Sequence, residues 1–139
     1  MPERKRLVLD ANILIRACLG VRVRQLIAEY SDSVDFYVVA STVEEASSYL
    51  TTLAAKRGLD LQICQEALMS LTAVVAQVEL PMLEVARAEA LKRIRDPDDW
   101  PALALALQLE CAVWTEDQDF FGTGVPTWTT LTVERYLNS

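Results

Sequence analysis

Apolar residues in this chain fall into two patterns, short unbroken runs and longer stretches with helical spacing. Arg6-Leu7-Val8-Leu9-Asp10 is of the first kind, almost wholly apolar and stopping at an acid, which predicts a buried parallel strand. Asn12 stands where it can cap a helix whose apolar stripe begins with Ile13, Leu14, Ala17 and Cys18. After a break near Gly20, Val21 to Tyr30 continues that stripe. Phe36 to Ala40, rich in β-branched and aromatic residues, predicts a second strand. Ser41-Thr42-Val43-Glu44 has the spacing of a capping box, in which the Ser hydroxyl and the Glu carboxylate satisfy free amides at a helix start. The helix it opens runs to about Arg57 and stops at Gly58.

Asp60 caps the next predicted helix, with Leu61, Cys64, Leu68, Leu71 and Val75 on one face. Pro81 opens another, with Leu83, Ala86, Ala90, Leu91 and Ile94 inward, ending before Pro97. Asp98 or Asp99 caps the one after, Pro101 sits in its first turn, and Ala102 to Leu109 is nearly all buried. Cys111 to Thr115 is a third strand, Gly122 and Gly124 mark a turn, Val125 to Thr129 is a short strand, and Leu131 to Leu137 is a closing helix. The order β-α-β-α-α-α-α-β-β-α implies a three-layer α/β/α sandwich with a mostly parallel sheet of four to five strands. In such sheets ligands bind beyond the carboxyl ends of the strands, where the strand order reverses.

Length and composition narrow the class. The 139 residues, 52% hydrophobic with 4 Gly and 5 Pro, suit a single packed domain over residues 1–139. No apolar run of about 18 residues predicts a membrane span, and the segment from Met1 to Arg6 does not lead into a signal peptide. Cys18, Cys64 and Cys111 are far apart, each in an apolar context, which suits buried reduced thiols in the cytoplasm. With no His in the chain, zinc sites and His-based nucleophile schemes fall away, leaving carboxylates, Lys, Tyr or a metal to carry any chemistry. The net charge of −7 argues against non-specific binding to a polyanion. Its distribution qualifies that, because six of the 13 basic residues precede residue 25.

The acids are concentrated instead between residues 96 and 119, where seven carboxylates occur with no Lys or Arg, around the apolar segment Ala102 to Trp114. Such crowding costs repulsion unless a cation sits among them. Asp10, Asp117 and Asp119 lie at or just after predicted strand ends, while Asp99 and the pair Glu44 and Glu45 lie in first helical turns. The sandwich brings Asp10 and one of Glu44 or Glu45 to the same rim. If Glu44 turns back to its cap, Glu45 is the acid left free. Each acid also has a structural explanation, as helix cap, first-turn acid or Asx-turn residue. Asp10 is hardest to explain that way, since an acid ending a buried strand must be solvated, paired or metal-bound. Oxygen-only ligation selects Mg²⁺ or Mn²⁺, and such a site suits phosphodiester hydrolysis.

Leu9-Asp10-Ala11-Asn12, the acid Glu45 at a helix start, Asp96-Pro97-Asp98-Asp99 before an Ala/Leu-rich helix, and Thr115-Glu116-Asp117-Gln118-Asp119-Phe120 together resemble the PIN-domain family, over residues 7 to 137. Within it the chain is most similar to small VapC-like proteins, the toxin components of toxin–antitoxin pairs. The resemblance implies a Mg²⁺- or Mn²⁺-dependent endoribonuclease preferring single-stranded RNA. On this resemblance Asp10, Glu45, Asp99 and Asp117 would be the acidic quartet, with Asn12 supporting the first acid. Thr115 and Asp119 would belong to the fourth-acid loop, and Asp96 would lie behind the ligands. A homodimer and a separate antitoxin protein are further implications. Arg16, one turn after Asn12, is a candidate phosphate contact, although a solvated helix face also accounts for it. A non-catalytic PIN-like binding module is the main rival. A phosphatase of the haloacid-dehalogenase type would want an acid where Asn12 stands, and a receiver domain a late Lys, but none follows Lys92.

Overall fold

The computed structural model describes residues 4–139; Met1 to Glu3, the head of the segment expected to lead into no signal peptide, lie outside them. Among the described residues, β1 (Lys5–Leu9), β2 (Val34–Val39), β3 (Ala76–Val78), β4 (Ala112–Trp114) and β5 (Thr127–Trp128) form one sheet in the order β3-β2-β1-β4-β5. Every pairing in it is parallel, with Leu7 opposite Phe36 and Val8 opposite Val113. Between the strands run α1 (Ala11–Leu19), α2 (Arg22–Tyr30), α3 (Ala40–Arg57), α4 (Leu61–Thr72), α5 (Glu84–Arg93) and α6 (Trp100–Leu109), and α7 (Val133–Leu137) closes the chain.

Side chains alternate across the strands, so the sheet buries both faces. Leu7 and Leu9, Phe36 and Val38, and Ala112 and Trp114 pack with residues of α1 to α4 and α7, among them Leu14, Ile27, Leu50, Leu68 and Leu137. Val8, Val39 and Val113 pack on the other side against α5 and α6, with Leu83, Ala90, Leu103 and Phe120. The expected three-layer sandwich is therefore present. Truncating a fully buried member such as Leu103 to Ala would cost roughly 2–5 kcal/mol by this packing. The order of construction fixes where the site lies. The chain builds β2 and β3 outward on one side of β1, then returns to place β4 and β5 on the other. The strand order reverses between β1 and β4, and the crevice at their carboxyl ends opens there.

Several local expectations need correction. β3 carries no apolar run, being three residues at the sheet edge with Ala76 and Gln77 exposed, so hydropathy alone passed over it. Val75, expected on the α4 face, lies beyond the helix end at Thr72 and is buried in the connection to β3. Leu91 is 39% exposed rather than inward, because α5 rests on the sheet layer through the small residues Ala86 and Ala90. Cys18 and Cys64 are buried free thiols as expected, but Cys111 is half-buried. The capping box does not form. β2 passes directly into α3, so Val39 occupies the cap position without a side-chain hydrogen bond and Ser41 already lies inside the first turn. Gly58 does end α3, in the left-handed conformation (φ 64°) that a side chain would disfavour. Among the described residues no helix is long and apolar enough to cross a membrane.

Candidate functional site

Asp10 leaves the end of β1 and becomes the cap of α1, its Oδ1 accepting the Ala11 N–H at 2.9 Å. The cap is therefore Asp10 and not Asn12, because the strand ends one residue before the helix starts and places Asn12 within the first turn. From there Asn12 reaches across to the end of β4. Its Nδ2 donates to Asp10 Oδ2 at 3.0 Å and to Thr115 Oγ1 at 3.1 Å, while its Oδ1 accepts the Glu116 N–H at 3.0 Å. The buried Thr115 hydroxyl donates to Asp10 Oδ2 at 2.8 Å and accepts the Asp117 N–H at 2.9 Å. One hydroxyl proton and two lone pairs are thus all engaged. Burial pushes the Asp10 carboxyl above its usual range; the hydrogen bonds from Thr115, Ala11 and Asn12 oppose that rise and the charge of Asp117 adds to it.

The second pair of acids comes from turns. Asp117 opens a 3-10 turn, Gln118–Phe120, with Oδ1 accepting the Asp119 N–H at 2.9 Å. Asp96 opens the 3-10 turn Pro97–Asp99, its Oδ1 accepting the Asp98 N–H at 3.0 Å; Asp98, one of the two residues expected to cap the next helix, lies inside that turn and is exposed. Asp99 stands at the cap position of α6 but makes no capping hydrogen bond. Two features account for this: Asp99 ends the 3-10 turn with ψ near 3°, not the extended backbone of a cap, and the second helical residue, Pro101, has no amide to offer. Asp99 Oδ2 is left buried without a partner among the described residues. Burial, then the adjoining Asp117 carboxyl, then the charges of Asp10, Asp117 and Asp96 push Asp99 up to about 8.

Glu45 projects from the first turns of α3 into the same cleft, of about 470 Å³, that Asp10, Asn12, Asp99, Asp117 and Arg16 line. Partial desolvation, then the charges of Asp10 and Asp98, raise its carboxyl too. Glu44 faces elsewhere, into a depression between α3 and α4 with Ser47, Gln65 and Met69. Helical geometry, not the capping box, separates the two: neighbours on a helix point about 100° apart. Arg16 is exposed at the cleft wall, with Nη1 4.0 Å from Glu116 Oε1. Asp96 and Asp119 do not line the cleft, but with Asp99 they form the one close trio of acids among the described residues, with one oxygen of each within 4.8 Å of the others; Asp10, Glu45 and Asp117 share the cleft with Asp99 without closing to that spacing. Arg95, with a side chain 86% exposed, approaches Asp119 Oδ1 at 3.8 Å and is too solvated to neutralise the cluster.

Two features escaped the sequence. Glu116 Oε1 accepts the Thr130 N–H at 2.8 Å and so ties the loop after β4 to the loop after β5. Tyr49, Leu53 and Arg57 also line the cleft, and their spacing of four from Glu45 along one helix was the available signal. As a donor set the site is all oxygen, which suits a hard divalent cation such as Mg²⁺ or Mn²⁺. The residues fit such an ion on one further observation, the buried Oδ2 of Asp99 without a donor, since such an acceptor is costly unless a proton or a cation satisfies it.

A family model described as PIN domain matches residues 8–138. The chain belongs to the PIN-domain family. Solved structures extend the likeness at the level of fold. PAE2754 from Pyrobaculum aerophilum superposes with a TM-score of 0.76 at 16% identity, covering 96% of this chain and 90% of that one. VapBC2 from Rickettsia felis, bound to a DNA fragment from their promoter, gives 0.70 at 10% identity over 89% and 98% of the two chains. A toxin–antitoxin complex from Klebsiella pneumoniae gives 0.64 at 19% identity over 89% and 97%. No curated protein matches the chain. In this PIN domain the acids expected to cooperate therefore come from the ends of β1 and β4 and the starts of α3 and α6, around the switch point of the sheet.

Proposed function

We propose that this PIN domain is a metal-dependent endoribonuclease acting on single-stranded RNA, with Asp10, Glu45, Asp99 and Asp117 as metal ligands. Asn12 and Thr115 hold Asp10, and Asp96 and Asp119 adjoin Asp99. The observation that carries this reading is the convergence of four carboxylates from four segments on one cleft, with an Asp99 oxygen buried and unpartnered. A bound Mg²⁺ or Mn²⁺ supplies a Lewis acid that polarises a phosphoryl oxygen and acidifies a water. The chain's own part is to fix geometry. Asp10 is held by three donors before any ligand arrives, so little reorganisation is needed on loading. Asp117 is clamped by its turn, and Glu45 closes the cleft from α3. Arg16 stands where it meets a phosphate entering beside these acids.

We further propose a cytoplasmic toxin, homodimeric and held inactive by a separate antitoxin protein; the solved structure that is a toxin–antitoxin complex supports the antitoxin part of this reading. The test is to incubate the purified chain with labelled single-stranded RNA in Mg²⁺ and in Mn²⁺. Cleavage is expected with at least one ion and is lost in Asp10→Asn and Asp99→Asn. No cleavage with either ion, together with no ion binding, would leave a non-catalytic binding module as the better description.

A further inference from the structure

The cleft does not end at the acids. Glu45, Tyr49, Leu53 and Arg57 follow at intervals of four along α3 and all line it, while Asn12, Ile15, Arg16 and Leu19 of α1 line the facing wall. The result is a groove between two helices, acidic at one end with Arg16 beside the acids, and carrying Arg57 beyond. Tyr49 is 52% exposed there, although Leu53, the next residue in the stripe, is buried. Among the described residues Arg57 makes no ion pair, and Arg16 reaches only Glu116. A cation in the last turn also complements the helix dipole. Lys56 occupies that same turn without lining the groove, so the dipole alone does not account for an arginine facing inward.

We propose that this groove is the track for the RNA strand, with Tyr49 as a platform for one base, Arg57 as the hold on a backbone phosphate away from the cut, and Arg16 as the contact beside the acids. The inference rests on the nuclease reading and adds to it the residues that select an unpaired strand. The acids repel a phosphate backbone wherever no cation screens them; Arg16 offsets that at the acids' edge, and Arg57 places attraction beyond that zone. An exposed tyrosine ring offers a stacking face to any unpaired base, whereas a duplex keeps its base faces in its own stack. Glu45 and Arg57 are about 18 Å apart along the helix at 1.5 Å per residue. At a stacked rise of about 3.4 Å per nucleotide the groove spans about five nucleotides.

Binding of fluorescent oligouridylates to the full chain carrying Asp10→Asn, followed by anisotropy with Mn²⁺ present, tests this, alongside cleavage by chains with Asp10 intact. A hexanucleotide should bind far more tightly than a dinucleotide. Tyr49→Ala should weaken hexanucleotide binding on the order of 10- to 100-fold, and Tyr49→Phe should preserve it. Arg57→Gln should weaken binding and reduce the slope of log K against log salt by about 0.7, the signature of one lost phosphate contact on a single strand. Circular dichroism would establish that each variant is folded. If the unmodified chain cuts RNA but Tyr49→Ala and Arg57→Gln bind and cut as it does, the track is wrong and the nuclease reading stands. If the unmodified chain cuts no RNA with either ion, both fall. RNA affinity unchanged in the variants but a polypeptide captured by the groove would also overturn the track.

Discussion

Asp10 and Asp99 line one cleft, yet their oxygens are treated in opposite ways. Asp10 accepts from a backbone amide, an asparagine and a buried threonine, so its position is set by the fold before anything binds. Asp99 stands one residue before a proline-containing helix start, caps nothing, and keeps Oδ2 buried without a donor. The first acid is prepaid in hydrogen bonds, and the second carries a deficit. A cleft built from one of each is rigid on one side and unsatisfied on the other, so an incoming cation meets one acid already oriented and still gains by satisfying the second.

The strongest way to break this contrast is to neutralise each acid in turn. Asp10→Asn and Asp99→Asn should each lower RNA cleavage on the order of 10²–10³-fold, as expected for loss of a group that stabilises transition-state charge. Without metal their stabilities should diverge. Asp10→Asn turns an acceptor into a donor against the Thr115 and Asn12 donors and should destabilise by roughly 1–3 kcal/mol. Asp99→Asn removes a charge that burial and three neighbouring carboxylates disfavour, and should leave stability equal or higher at pH 8. Urea unfolding of the two variants in chelator decides it; equal destabilisation would remove the distinction between the two acids.

A smaller change, Thr115→Val, probes the satisfied side alone. It deletes the donor to Asp10 Oδ2 and the acceptor of the Asp117 N–H. Activity should fall about 10- to 100-fold, the usual loss when a partner behind a metal ligand is removed, with the ion still bound but more weakly. Isothermal titration with Mn²⁺ separates this from simple unfolding.

The unsatisfied side has its own signature in pH. The folded value of Asp99, about 8, lies above the ordinary carboxylate value near 3.9 in the unfolded chain. Between those values the native state holds the extra proton, so the contribution of Asp99 to metal-free stability is fully present below about pH 4 and is lost as pH rises through about 8. Asp10 and Glu45, also raised, act in the same direction. Mn²⁺ at about 100 times its Kd should restore about 2.7 kcal/mol and raise Tm by roughly 10 °C near pH 8. In Asp99→Asn both the pH slope and the metal response should shrink. Melting curves across pH 4–9, with and without ion, measure both.

The same contrast explains what the sequence could disclose. Strands β1, β2 and β4 and the helices were legible because burial on both faces writes continuous apolar runs, and the acids were legible because they interrupt or follow those runs. Which acid caps and which is free was not legible. Asp96, Asp98 and Asp99 are equivalent as residue types, and only the missing amide of Pro101 and the 3-10 turn distinguish them. Asn12 likewise carries every mark of a cap in sequence, and only the direct passage from β1 into α1 gives that role to Asp10. β3 left no trace because an edge strand of three residues buries too little to need a pattern.

The smallest expected effect concerns Glu44. Its capping-box spacing predicted a stability cost of about 1 kcal/mol on truncation, but α3 begins at Ala40 with Val39 at the cap, and Glu44 faces the depression between α3 and α4. Glu44→Ala should therefore change stability by less than about 0.5 kcal/mol, as for an ordinary surface site, and leave cleavage unchanged. Glu45→Ala, one residue on, should be equally silent in stability yet lower cleavage, because its carboxylate lines the cleft beside Asp10. Parallel denaturation and cleavage assays of the two variants make the comparison. A loss of activity in Glu44→Ala that Glu45→Ala does not share would mean that α3 presents the other face to the cleft, and would move the ligand proposed from α3 by 100° around the helix.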